Sequence, residues 1–376
     1  MKLSPFRMER WQSTYEHRVR FNLSESGVHP MSLEELLGLS GAAPGSLDRV
    51  RFGYGQSNGS DELRARIAAL YPGADDANVL VTVGGAEANF AAHWHLTEPG
   101  QAAAVMLPNY MQVPGLLENF GARPLPFHLE EATGWEPDLD ELDAALEAGA
   151  RFVLVTNPNN PTGKALREDA LDAIVERAER HGAWILSDEV YQGAEAGGER
   201  TPSFWGRYDR VLVTNSLSKA YGLPGLRLGW VVGPADEIAT LWGRTDYTTI
   251  APATLSDHLA ALALEPETRA KITDRARRIV RENLSATRDW LDARPGLFAY
   301  RPPDAGAIVY VRYSADVSSS SFAEKLRVEK DVLVVPGDHF GMDRFLRIGF
   351  GPPRDELMEA LGRIAEAFDE VALTPT

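Results

Sequence analysis

The stretch Ser216-Leu217-Ser218-Lys219-Ala220-Tyr221-Gly222-Leu223-Pro224-Gly225-Leu226-Arg227 sets hydroxyls, an amine and a guanidinium into an otherwise apolar run. Lysine is scarce in this chain, six against 32 arginines, and Lys219 has no acidic neighbour in sequence. Removed from water in such a setting, its amine would fall in pKa towards neutrality and become a nucleophile. A lysine that merely snorkels out of a core is the plain alternative. Further upstream, Ser187-Asp188-Glu189-Val190-Tyr191 holds a carboxylate and a phenol three residues apart. A buried carboxylate needs a cationic or protonated partner, such as a ring nitrogen, whereas Asp188 as a helix cap would need none. Gly84-Gly85-Ala86-Glu87-Ala88 puts small residues at a helix start, where free backbone N–H groups bind phosphate. It lacks the lysine of a P-loop and the spacing of a dinucleotide fingerprint, so a single phosphate is the natural ligand. Ser216 and Ser218 could add hydroxyls to that phosphate, and Arg227 a forked cation. Asn157-Pro158-Asn159-Asn160-Pro161-Thr162-Gly163 is above all a run of turn formers, and it could present Asn160 as a donor.

These stretches follow short apolar runs at 79–83, 152–156, 184–187 and 211–214, with others at 103–107 and 228–232. Helix-length segments alternate with them. The alternation predicts a mainly parallel sheet covered by helices on both faces, with ligands at the carboxyl ends of the strands. Residues before about 45 read as an arm: a polar-aromatic start around Trp11 and Tyr15, then Phe21 to Pro30, then a helix-like segment at 31–39. Beyond Pro234 come long helices, notably 267–291, and a second α+β unit. Its expected strands are 307–312, 332–335 and 345–350, with helices at 321–330 and 355–368. The serine run 318–321 reads as spare cap residues at a helix start.

With 376 residues and a net charge of −16, the chain suits two packed lobes and argues against a nucleic-acid or anionic-membrane partner. No apolar run is long enough for a membrane span, and the charged N-terminus lacks a signal core, so a cytoplasmic location is expected. The absence of cysteine excludes disulfides, thiolate metal sites and thiol nucleophiles.

Taken together, the NPTG turn, the DE-x-Y segment twenty-eight residues past its Asn160, and SLSK with an arginine eight residues on resemble the pyridoxal-phosphate (PLP) aminotransferases of fold type I, class I/II, over nearly the whole chain. That resemblance implies a three-layer αβα large domain at 46–250 around the cofactor pyridoxal 5'-phosphate. A smaller α+β domain would be formed by the arm, 1–45, and by 251–376. It implies that Lys219 holds the cofactor as a Schiff base and serves as general base. Asp188 would pair with the ring nitrogen, and Asn160 and Tyr191 would bond the phenolic oxygen. Gly85, Ala86, Glu87 (by its amide), Ser216, Ser218 and Arg227 would hold the phosphate, and Tyr110 would stack on the ring. Tyr54 matches a tyrosine that reaches a neighbouring subunit's phosphate, which makes a homodimer with shared sites the expected unit. Arg347 would grip the α-carboxylate of the amino-acid substrate.

The segment Ser24-Glu25-Ser26-Gly27-Val28-His29-Pro30 departs from the family's usual Gly-x-Pro-Asp/Asn-Phe-like pattern, and in the family this segment borders the substrate's side chain. Glu25 and Gly27 are therefore candidate substrate contacts, and Glu25 would favour a cationic or hydroxylated amino acid over a dicarboxylic one. A Glu25 that simply faces solvent is the preferred bland reading. Arg244 lies where a second carboxylate-binding arginine would be sought, but a structural role is expected. Ordinary transamination to a 2-oxo acid is the favoured reaction. The alternative is elimination, replacement or cyclisation of the kind that makes enduracididine or capreomycidine from arginine derivatives.

Rival readings have less behind them. Ser216-x-x-Lys219 also fits penicillin-recognising acyl enzymes, yet the chain has no Lys-Thr-Gly. His93 and His95, two apart on a helix, point in different directions and invite packing more than metal. His339 lies in a loop that is near the active site in the resembled family. A non-catalytic regulator is disfavoured by the intact lysine, aspartate and arginines.

Overall fold

The computed structural model describes residues 3–43 and 45–373; Met1, Lys2, Pro44, Thr374, Pro375 and Thr376, which belong to the expected arm and C-terminal part, lie outside the described residues. Eight strands make the large sheet: β1 (Val79–Thr82), β2 (Ala102–Leu107), β3 (Arg123–Glu130), β4 (Glu136–Pro137), β5 (Ala150–Thr156), β6 (Trp184–Asp188), β7 (Val211–Ser216) and β8 (Gly229–Val232). They lie in the order β1-β8-β7-β6-β5-β2-β3-β4. Strands β3, β2, β5, β6 and β7 run parallel, while β8 is antiparallel between β1 and β7. Successive residues of the apolar runs serve opposite faces, as a pleated strand requires. Val153, Val155, Ile185 and Val213 enter one core, and Leu154, Leu186 and Leu212 enter the other. Both faces are covered by helices, which explains why these strands read as continuous apolar runs.

The sequence reading has no strand at β3. Arg123-Pro124-Leu125-Pro126-Phe127 carries two prolines, which cannot donate to a ladder. The strand is tolerated near the sheet's margin, where only the two-residue β4 lies beyond it.

The second body has a four-stranded antiparallel sheet of Phe298–Tyr300, Ile308–Tyr313, Phe345–Gly349 and Val335–Pro336, with helices Pro266–Asp292, Ser319–Glu329 and Arg354–Leu373 around it. The expected single strand at 332–335 is two: Val332–Leu333 pairs in parallel with Phe21–Asn22 of the arm, and Val335–Pro336 joins the sheet. Phe21, Leu23 and Val28 share a core with Val309, Ile348 and Phe350, so the arm is woven into this body. Ser318 caps its helix by accepting from the Ser321 amide at 3.3 Å.

Two features of the arm position the site. Its start is a helix, Arg7–Tyr15, which the sequence reading described only as polar-aromatic. Past Phe21 the chain runs against the end of the Phe345–Gly349 strand. The Gly349 amide donates to the Leu23 carbonyl at 2.7 Å, and the His29 amide donates to the Gly351 carbonyl at 2.9 Å. A Cβ on Gly349 would land on the Glu25 carbonyl oxygen, and one on Gly351 on that of Gly27. Only glycine permits this approach, and it fixes the backbone of Glu25, Ser26 and Gly27 over Lys219.

Candidate active site

The carboxyl ends of the central strands, the Gly84–Leu96 helix start and the arm enclose a cavity of about 540 Å³. Gly85, Ala86, Tyr110, Asn160, Asp188 and Tyr191 line it, as do Ser216, Ser218, Lys219, Arg227, Arg347 and Glu25. Glu87 is not among the lining groups. Its carboxylate closes the first helical turn on the Val83 amide at 2.6 Å and accepts from the hydroxyls of Thr248 and Thr249.

Asp188 ends β6 and is 8% exposed. Its oxygens accept from Asn89 Nδ2 at 2.9 Å and from the Val190 amide at 3.1 Å. Asn89 is turned this way because its own Oδ1 accepts from the Thr214 hydroxyl at 2.7 Å. Burial pushes the Asp188 carboxyl above the usual range, and these neutral donors offset only part of that. A cation in the cavity is what would hold it ionised.

At the other end of the cavity wall, Gly84 adopts φ +80°, and a Cβ there would come 2.6 Å from Arg227 Nη2. A Cβ on Gly229 would meet the Gly84 carbonyl carbon at 2.5 Å. Strand β8, the Arg227 guanidinium and the helix start are thus in direct contact, a concentration of positive potential suited to an anion. Arg227 itself is in the left-handed region at φ +47° after the turn Pro224–Leu226, and its Nη1 donates to the Pro224 carbonyl at 3.0 Å. Ser216 Oγ stands beside Gly85 and accepts from the Ser218 amide at 3.2 Å.

Lys219 corrects the sequence reading. Glu25 Oε2 lies 3.3 Å from its Nζ, so the acidic neighbour missing in sequence arrives from the arm. Burial draws the amine's pKa down, but the charge of Glu25 and the Tyr191 phenol outweigh it and hold the pKa above the ordinary lysine value. The Glu25 side chain is 50% exposed and at the same time lines the cavity. Lys219, with Arg347 adding to it, holds the Glu25 carboxyl below the usual range against the opposing effect of burial. Gly27 leaves room for the lysine stem, since a Cβ there would sit 3.3 Å from Lys219 Cα.

Arg347 is fully buried, and burial lowers its pKa. It donates to Asn160 Oδ1 at 2.9 Å and to the Ser24 carbonyl, while its Nε has no partner. Among the described residues no carboxylate pairs with it. A buried guanidinium without a counter-ion calls for an anionic ligand. Tyr191 donates to Ser26 Oγ at 2.8 Å, and Tyr110 meets Phe6 edge-on at 5.3 Å.

The helix Arg7–Tyr15 adds groups the sequence reading missed. Glu9, Gln12 and Glu16, the last at the helix's end, are spaced so that they share one face, and all three line the cavity. That spacing was the available signal. Asn89 and Thr214 had none, because nothing local marks which polar residue will back a carboxylate.

Other candidates stand apart from the cavity. Tyr54 is 94% exposed on the surface of the chain. His339 is not a lining residue; it packs edge-on against Trp11 at 6.2 Å, with burial lowering its pKa to about 4. His93 is buried with Nδ1 on the Asn89 carbonyl, His95 pairs with Glu237 at 2.6 Å, and no metal-holding group of side chains occurs among the described residues. Arg244 lies over the Trp94 ring at 5.3 Å. No helix among the described residues is long and apolar enough to cross a membrane.

A model of the aminotransferase class I and II family matches residues 42–364. The chain belongs to that family. A capreomycidine synthase from Streptomyces vinaceus is 34% identical over 361 residues, covering 96% of this chain and 92% of its own. A PLP-dependent aminotransferase structure from Streptococcus suis superposes with a TM-score of 0.94 at 32% identity over the full length of both chains. The structure of the PLP-dependent cyclase OrfR does so with a TM-score of 0.90 at 27% identity over 98% of each. Fold and family membership make this a fold type I, PLP-dependent enzyme acting at the Cα of an amino acid. The buried, cation-seeking Asp188 and the glycine-lined anion cradle at Arg227 fit a cofactor with one ring nitrogen and one phosphate.

Proposed function

We propose that the enzyme acts on an amino acid with a guanidinium side chain and closes it into a ring with loss of a leaving group. The observation that carries this reading is the acidic wall formed by Glu9, Glu16 and Glu25 on the arm side of the cavity. Among the described residues neither Glu9 nor Glu16 pairs with lysine or arginine. Burial and then repulsion from Glu25 raise the Glu16 carboxyl above its ordinary pKa, against the pull of His17, whose Nε2 is 3.6 Å from Glu16 Oε1. The similarity to a capreomycidine synthase and to a PLP-dependent cyclase supports ring closure ahead of the amino transfer expected from sequence, whose core motifs do not separate the two.

In this proposal Asp188 holds the cofactor's ring nitrogen protonated, with Tyr110 against the ring and Asn160 and Tyr191 at its phenolic oxygen. The cradle of Gly85, Ala86, the Glu87 amide, Ser216, Ser218 and Arg227 would hold the phosphate, and Lys219 would hold the aldehyde carbon. Bound pyridoxal 5'-phosphate supplies an electrophilic carbon for the substrate amine and a conjugated ring that accepts the electrons released at Cα. Arg347 holds the α-carboxylate by its fork, and the lysine amine, once free, removes the Cα proton. The arm carboxylates orient the side chain.

Transamination of the same kind of substrate to a 2-oxo acid is the second reading, favoured by the Streptococcus suis aminotransferase likeness. A cytoplasmic homodimer is part of the proposal. Tyr54 and Phe52, at 94% and 87% exposure, leave aromatic surface that their own chain does not cover. Incubation of the cofactor-loaded enzyme with arginine, side-chain-hydroxylated arginines and aspartate, followed by cofactor absorbance and product mass, tests the reading. Loss of water from a hydroxylated arginine is expected. Conversion to the pyridoxamine form with oxo-acid release would overturn ring closure in favour of transamination.

A further inference from the structure

We propose that Glu25 is a second proton carrier of the reaction, relaying between Lys219 and the outer carbons of the substrate side chain; this rests on the ring-closing reading above. Ring closure needs more proton handling than removal of the Cα hydrogen. A hydroxyl departs as water only if it receives a proton, and a guanidinium becomes a nucleophile only after losing one. Lys219 serves Cα, so a group in contact with it must reach further out.

Glu25 meets that description by geometry. Its Oε2 is 3.3 Å from Lys219 Nζ, and its side chain is half exposed to the cavity. Its backbone is clamped where Gly349 and Gly351 admit no Cβ, so the pair keeps its register. The ionisable groups deeper in the cavity are committed. Asp188 accepts from Asn89 and Val190, the Tyr191 hydroxyl donates to Ser26, and Arg347 is held by Asn160 and the Ser24 carbonyl. Glu9 on the arm helix and Glu16 at its C-terminal cap also line the cavity, but the carboxylate paired with the lysine is Glu25.

The proton count closes. Lys219 takes the Cα proton and releases it through Glu25 only as the side-chain hydroxyl draws it away, so Glu25 stays a carboxylate between steps. The side-chain hydroxyl leaves with the C–O bonding pair and that proton, as water. The guanidinium then gives one N–H proton to Glu25, and the nitrogen lone pair so exposed forms the C–N bond at the same carbon. That proton returns through Lys219 to Cα. One substrate yields one ring and one water, both residues end as they began, and no oxidant or reductant is consumed.

Two measurements on wild type, Glu25→Gln and Glu25→Asp test this. In the cofactor-free protein, reductive methylation of Lys219 is followed by peptide mass across pH. Loss of the carboxylate should bring half-modification down by about one pH unit, with Glu25→Asp closer to wild type. In the loaded enzyme, arginine hydroxylated at Cβ is turned over in deuterated water. The ratio of ring product to Cα deuterium exchange should fall roughly 100-fold in Glu25→Gln and recover in part in Glu25→Asp. An unchanged ratio, or an unchanged Lys219 profile, overturns the relay. A wild type that exchanges at Cα but never closes a ring overturns the functional reading and the leaving-group role with it, while the methylation profile still decides whether Glu25 governs the Lys219 amine.

Discussion

Asn89 Nδ2 donates to Asp188 Oδ2 at 2.9 Å, although 99 residues separate the two. With Thr214 fixing the amide's orientation, this contact aims the buried Asp188 carboxylate into the cavity. Asn89→Ala should remove a hydrogen bond to an ionised group, worth about 2 kcal/mol, and so weaken cofactor affinity by roughly 10- to 100-fold. Titration of the apo protein with pyridoxal 5'-phosphate by absorbance would measure it; an unchanged dissociation constant would show that Asn89 is only packing.

Glu189 is fully buried, and burial raises its carboxyl to about 7 despite donors from Phe204 and Ser203. A carboxyl whose folded pKa is raised favours the protonated form in the fold, so stability falls as pH rises from the unfolded value of 4.5 through about 7 and is level above. The shift corresponds to about 3 kcal/mol. Denaturation of wild type and Glu189→Gln between pH 5 and 8 should show this decline in the wild type only, as a difference between the two curves. Parallel curves would remove the assignment.

Gly351 carries the arm. A side chain there would strike the Gly27 carbonyl, and Gly351→Ala should cost about 3 kcal/mol or more, because backbone on backbone cannot relax by rotamer change. The same variant should lose cofactor-dependent activity in proportion to arm displacement, read as protease susceptibility of the first 30 residues. Wild-type stability with full activity would contradict the clamp.

Glu9→Gln with Glu16→Gln should raise KM for a guanidinium amino acid by about 10-fold or more while leaving a neutral amino acid of similar size little affected, since the pair supplies charge and not shape. Steady-state kinetics on both substrates, at low and high salt, would decide it. Equal effects on the two would mean that the arm helix positions the site without reading the side chain.

The alternation of strands and helices, the strand-end position of Asp188, Ser216 and Lys219, and the glycine-rich helix start were all legible because each depends on residues close in sequence. Period-two burial and turn chemistry are local. Strand β3 escaped because its prolines oppose the local propensity, and the sheet margin overrules that propensity. The arm helix was hidden in a short polar segment whose one informative face, Glu9, Gln12 and Glu16, means nothing until a cavity lies opposite.

What the chain determined by itself was therefore the set of chemical groups and the element that carries each. What only the tertiary structure decided was the ionic partner of Lys219. In sequence the lysine has no acid beside it, and desolvation alone would make it a neutral amine. In the fold the Gly349 and Gly351 contacts bring Glu25 to 3.3 Å, and Coulomb attraction at that distance outweighs burial and raises the amine's pKa instead of lowering it.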